Sequence, residues 1–366
     1  MSESEKIRGL VLTRLFKTKD FASIVFIGGA IVYFFSIIWI NFHSKQWYSF
    51  DVYSDSLLAR IMVEEGSLLP QNWVFGNQEY FIATPVLAAL FYLVCKNSVL
   101  ALSMASSLMT VFILSSFVWA IKPFVNSRQC FVGVFCLSGA VILGNSAATY
   151  VNGMEYFYTM ASFYSCYVIA IFFTLGVYFR MRSGIFVFPP LYVLSFLISV
   201  ALGMQSLRGT LVLYFILVLY SVIVQLIKKS EIKSMLFSCA MFACNICGIL
   251  LMKVIPYKSA PIISDIALRT DYHELIEELH NTFTELLKIT GLSFCANGLK
   301  WLPLFCVSVF FVVVVLGVLI DAFIGLIKYK TVSVIGECVF FLWISVLAVF
   351  VVGVFLFKVR AIYFFS

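Results

Sequence analysis

Long apolar runs separated by short polar intervals dominate the chain from residue 21 onward. Runs at 21–42, 99–121, 130–147, 157–179, 185–202, 210–227, 235–255, 301–327 and 332–357 each approach the length of about twenty residues that an α-helix needs to cross a bilayer. The pattern predicts an all-α polytopic membrane protein with about nine spans. Run 81–95 is different. It is too short to cross, contains Thr84-Pro85, and is expected to lie in the interface or re-enter from the outer face. The organisation is then a tail at 1–20 and one transmembrane domain at 21–366. Its two long outer segments are 43–97 and 256–300.

Basic residues fix the expected orientation. Lys6, Arg8, Arg14, Lys17 and Lys19 precede the first span. Further clusters fall at Lys122 and Arg128, at Arg180 and Arg182, at Lys228, Lys229 and Lys233, and at Lys328 and Lys330. With 81–95 not crossing, all of these share one side, which the positive-inside rule makes the cytoplasm. Lys358 and Arg360 fall outside, and the ending RAIYFFS follows a span so closely that further spans are expected beyond it.

Composition agrees with this layout. Hydrophobic residues make up 62% of the 366 positions and charged residues 12%, against about 25% charged in soluble domains. The mean hydropathy is +1.03. A water-soluble fold is excluded. The net charge of +7 resides in the topogenic clusters and does not point to nucleic acid. Cys239, Cys244 and Cys247 lie inside one apolar run and read as small packing residues. Cys95 and Cys295 are the two nearest the outer side, and nothing in the sequence pairs them. No phosphate-binding glycine loop, GxSxG, HExxH, paired CxxC or dinucleotide fingerprint occurs. The sequence calls for no cofactor, and a divalent metal is compatible with its acids.

The interval HSKQWYSFDVYSDSLLARIMVEEGSLLPQNWVFGNQEY, 43–80, carries Asp51, Asp55, Glu64, Glu65 and Glu79. Asp51 and Asp55 closely follow the first span. A carboxylate partly shielded at a membrane surface has its pKa raised toward the working pH, as a general base requires. A hydrated acidic loop explains the same residues. Residues 55–62 read as a short helix capped by Ser54, Trp73 suits the interface, and Glu79 stands just before the short run 81–95. In the second outer segment, Leu275, Ile276, Leu279, Phe283, Leu286 and Leu287 recur at helical spacing. They predict an amphipathic helix at or near the membrane surface. His273 and His280 share a face with Glu277, which fits a metal site or a solvated face.

The order of span, acidic outer loop, interfacial helices and many further spans resembles the GT-C class of membrane glycosyltransferases. SDSLLARIMVEEGSLLPQNWVFGNQEYFIATPVLAALF resembles the first loop of a bacterial GT-C-like group through its Ser-Asp pair, its E-G-S-L-L turn, its Trp and its later Glu. NGMEYFYTMASFYSCYVIAIFFTLGVYFR and GMQSLRGTLVLYF resemble later parts of that group, the latter through an Arg at an outer turn. The resemblance implies transfer of a sugar from a polyprenyl-phosphate donor to a glycan, lipid or protein hydroxyl on the outer face of a bacterial plasma membrane. Asp55 would act as inverting general base, with Asp51 the other acid that fits the position. Arg208 would grip the leaving phosphate. Glu79 would orient the acceptor, assist the base, bind a metal or cap a helix. Glu155, Lys253 and Lys258 are further groups near the outer side. Two other readings are an O-antigen polymerase or flippase handling polyprenyl-linked glycans, and a non-enzymatic transporter.

Overall fold

The computed structural model describes residues 18–43, 50–76, 79–143, 164–229, 232–258 and 271–289, and scattered positions between 306 and 348. Among these residues the regular structure is helical. The helices are α1 (Thr18–His43), α2 (Phe50–Glu65), α3 (Thr84–Cys95), α4 (Ser98–Ile121), α5 (Ser127–Leu143), α6 (Ser165–Arg182), α7 (Pro189–Gln205), α8 (Phe215–Lys228), α9 (Ile232–Met252) and α10 (Tyr272–Ile289). A helical turn, Leu207–Gly209, and a π-helical turn, Thr210–Tyr214, lead into α8.

Among the described residues, five stretches are long and apolar enough to cross a membrane: Ile24–His43, Ser98–Ile121, Ser165–Arg182, Leu207–Ile227 and Ile232–Met252. Their outward faces are greasy. Ile31, Val32, Phe35 and Trp39 of α1 are each at least half exposed, a surface that suits lipid and not water. The chain is a helical membrane protein. α3 has 12 residues, as its short run predicts, and at about 1.5 Å per residue it falls well short of a bilayer. α5 is described to Leu143. The expected outer turn with Glu155, most of the expected spans 301–327 and 332–357, and the C-terminal end lie outside the described residues.

Two element boundaries differ from the sequence reading. α2 begins at Phe50, so Ser54 sits within the helix and is not its cap. Val52 is the reason: it is buried with Ile40, Leu58 and Ala59, and that packing draws in a first turn that local propensity does not predict. The expected span 185–202 starts at Pro189, because Gly184 turns the chain at positive φ and two prolines occupy the first turn.

α7 and the stretch leading to α8 form a hairpin that reverses at a single extended residue, Ser206. A Cβ added to Gly209 would lie 3.3 Å from the Leu202 Cβ, so the two arms touch. Asn245 of α9 staples them. Its amide nitrogen donates to the Ser199 carbonyl at 2.9 Å, and the Thr210 hydroxyl donates to its oxygen. α7 and α9 approach to backbone contact through Gly203 and Gly248, the small-residue packing that drives helix association in lipid. At the far end of α6, the Arg182 guanidinium donates to both Glu337 carboxylate oxygens and to the Tyr220 hydroxyl. Both charged side chains are 6% exposed.

Two stability experiments check this packing. A Cβ at Gly248 would lie 2.1 Å from the Val200 carbonyl oxygen. Gly248→Val is expected to destabilise the fold by about 1–3 kcal/mol or more, seen as a lower thermal midpoint in detergent. Gly28→Ala, with nothing within 4 Å of the new carbon, should leave it unchanged or raise it. Glu337→Gln should cost about 3–5 kcal/mol by stranding a buried guanidinium, and the double change Arg182→Met with Glu337→Leu should recover most of that loss.

Candidate functional site

The first loop is built from local geometry. α2 presents Val52, Asp55, Ala59 and Met62 along one stripe that is buried against α3 and α4. Gly66 ends the helix at positive φ, and Pro70 starts a turn. Trp73 and Phe75 then fold back onto the apolar cluster that holds Val52, Leu58, Ala59 and Met62.

This geometry sorts the five acids. Glu64 pairs with Arg60 on the surface at 2.6 Å. Glu65 accepts the Gln71 and Asn72 amides at 2.7 and 3.1 Å and so shapes the turn. Asp55 is 2% exposed, a carboxyl set in an otherwise apolar stripe. Asp51 lies one helical turn before it on α2, and its side chain is outside the described residues. Glu79 is half-buried and lies beside the hairpin tip.

The contact between Glu79 and that tip is main-chain. Its amide donates to the Gln205 carbonyl at 3.0 Å. The Gln205 side chain, fully buried, accepts the Phe81 and Ile82 amides at 3.4 and 3.5 Å. Its own amide nitrogen donates to the Tyr167 hydroxyl and the Cys166 sulfur at the start of α6. Tyr167 and Ser206 share a 2.8 Å hydrogen bond. Thr84 and Ser165 share one of 3.0 Å. Three residues after Gln205, Arg208 has its backbone amide bonded to the Ser206 hydroxyl. Its guanidinium lies 5.7 Å from the centroid of the Tyr164 ring. At that distance the two make a cation–π contact, and the N–H fork of a guanidinium is the group that grips phosphate oxygens.

The start of the second loop segment meets the first. The Phe75 amide donates to the Lys258 carbonyl at 2.9 Å, and the Phe75 and Tyr257 rings meet edge-on at 6.0 Å. The Tyr257 phenol is a polar neighbour of the Glu79 carboxylate. Burial holds the Glu79 carboxyl above the usual carboxylate range, and the neighbouring Tyr257 phenol and its own backbone amide pull it partly back. Burial first, then the Glu79 contact, pushes the Tyr257 phenol up to about 12.

The structure therefore brings Glu79 and the Arg208 turn together. Asp55 is buried on the α2 stripe, whose apolar members Val52, Ala59 and Met62 belong to the cluster that Tyr80, the neighbour of Glu79, packs against. The Lys253 and Lys258 side chains are exposed. Lys258 contributes its carbonyl to the loop contact. Gln205, Ser206, Tyr167 and Tyr257 escaped the sequence reading. Gln205 alone left a trace, as an amide at the end of an apolar run beside Arg208. Cys95 carries a free thiol, and Cys239 and Cys247 face outward instead of packing inside. Cys295 is outside the described residues. Among the described residues, no three His, Cys, Asp or Glu side chains gather closely enough to hold a metal ion.

Comparison of the chain with protein-family models, with curated proteins and with solved structures finds no match.

A hydrophobic carbodiimide, which modifies protonated carboxyls, reads out Glu79 directly. The expected pH midpoint for its labelling lies above that of free glutamate, because the fold favours its protonated form. Tyr257→Phe removes the phenol hydroxyl beside the carboxylate and should move the midpoint higher still. A midpoint at the free-glutamate value, or a downward shift in the variant, would contradict the geometry.

Proposed function

We propose that this chain is a GT-C-like glycosyltransferase with about nine spans and a cytoplasmic N-terminus, working at the outer face of a bacterial plasma membrane. It takes a sugar from a polyprenyl-phosphate donor and transfers it to a glycan, lipid or protein hydroxyl. The observation that supports this reading best is the junction at Gln205. It ties a first-loop carboxylate, Glu79, to the turn that carries Arg208.

The chemistry needs a base on one side of the anomeric carbon and a cation on the other. In this reading Asp55 takes the proton from the acceptor hydroxyl. The freed oxygen attacks the anomeric carbon, the bond from that carbon to the phosphate oxygen breaks, and the configuration inverts. The lipid phosphate leaves as an anion, and the Arg208 guanidinium stabilises the charge that develops on it. Glu79, beside Tyr257, orients the acceptor. Asp51 is the alternative base one turn away. The burial of Asp55 in an apolar stripe supports a shielded carboxyl, which is what proton transfer near neutral pH demands. A flippase or transporter, the second reading, would place charges at mid-span, whereas the buried Arg182–Glu337 pair joins at the end of α6.

The test is transfer of labelled sugar from polyprenyl-phosphate donors in proteoliposomes. Asp55→Asn is expected to lose about 10²–10⁴-fold in rate. Arg208→Ala should lose about 10²–10³-fold, with partial recovery in Arg208→Lys, a point charge without the planar fork. Native rates in Asp55→Asn combined with loss in Glu79→Gln would move the base to Glu79. Native rates in both, or no transfer by the native chain with donors and acceptors supplied broadly, would overturn the proposal.

A further inference from the structure

α10 carries an apolar stripe that no described residue covers. Tyr272, Ile276, Leu279 and Phe283 recur at helical spacing along one line. They are 69%, 47%, 44% and 51% exposed with the whole chain in place. The opposite side presents Glu274, Glu277 and Asn281. α10 does not pack along any other described helix. In water such a stripe is unfavourable, and the narrow apolar line with a strongly polar back is the signature of a helix lying in an interface.

The surroundings point to lipid as the occupant. α9, the preceding span, leaves Leu250 and Leu251 about half exposed, and Val254 just beyond it is 80% exposed. The lipid-facing surface therefore continues to the point where the second loop segment begins. Residues 256–258 are then pinned against the first loop by the Phe75–Lys258 main-chain bond and the Glu79–Tyr257 contact. The segment thus departs at the level of the loop junction, beside the bilayer. The acidic back of α10 sets the lipid class. Like charges repel within a Debye length of about 8–10 Å, so an acidic helix seats better on electroneutral headgroups than on anionic ones.

We propose that α10 docks by the Tyr272–Ile276–Leu279–Phe283 stripe onto the bilayer surface on the side of the first loop, with its glutamates turned to water and a preference for electroneutral lipid. The experiment uses the full chain in nanodiscs of phosphatidylcholine doped with a lipid that carries a diazirine high on its acyl chain. Carbene insertion is mapped by mass spectrometry. The expected labels fall on Tyr272, Ile276, Leu279 and Phe283, with Glu274, Glu277 and Asn281 spared. Labelling should fall several-fold when half the lipid is phosphatidylglycerol. The variant Ile276→Glu with Phe283→Glu should lose the α10 labels and keep those on Leu250 and Leu251, which report an intact α9. Labels on α9 with none on α10 would overturn the proposal, as would equal labelling of both faces of α10. A dimer in the same nanodiscs that shields the stripe from label, with labelling restored in the monomer, would assign the stripe to a second copy and also overturn it.

Discussion

A buried primary amide, Gln205, is the interaction on which the loop end of this bundle depends. It stands where α7 ends, one residue before the chain reverses at Ser206. Its carbonyl groups receive three amides from residues 79–82, and its nitrogen reaches Tyr167 and Cys166 on α6. Buried main-chain amides require acceptors, and in a membrane protein water is scarce near them. A single residue thus fastens the descending first loop to two helices, α6 and α7. The approach of Glu79 to the Arg208 turn is a by-product of that satisfaction.

α6 carries the polar ties at both of its ends. Ser165, Cys166 and Tyr167 join Thr84, Gln205 and Ser206 at one end. Arg182 joins Glu337 and Tyr220 at the other. The seventeen-residue interval between Ser165 and Arg182 corresponds to ~26 Å of helix, close to the roughly 30 Å thickness of a hydrocarbon core. Between the two knots the helices pack through aromatic and aliphatic side chains around Tyr178 and Tyr214, with the Tyr178 hydroxyl accepting from Ser221. Polar bonds at the rims fix which helices meet, and the small residues Gly176, Gly203 and Gly248 let them meet closely.

Hydropathy made the helical membrane class and most of the long helices legible. The failure of run 81–95 to reach spanning length was legible too, and so were the amphipathic stripe of α10 and the concentration of acids in the first loop. Hydropathy could not show which acids are spent on local structure. Glu65 became a turn cap and Glu64 a surface partner because of where α2 ends, and tertiary packing set its start at Phe50 as well. Arg182 and Glu337, 155 positions apart, read as separate charges near span ends. Their pairing is a tertiary fact with no sequence signal. Gln205 and Tyr257 were missed for the same reason: an amide or phenol at the edge of an apolar run looks interfacial until the partner is known. The proposed catalytic roles rest on residue chemistry and on the resemblance in the first loop. The Gln205 junction adds proximity to them.

The most direct measurement of the central claim is hydrogen–deuterium exchange across residues 79–82, in the native chain and in Gln205→Leu, with α4 as an internal reference. The junction predicts strong protection of the Phe81 and Ile82 amides in the native protein. It predicts a loss of about tenfold or more in the variant, the scale of one or two lost hydrogen bonds, with α4 unchanged. Equal exchange in the two proteins would contradict it, and the link between the first loop and the Arg208 turn would fall with it.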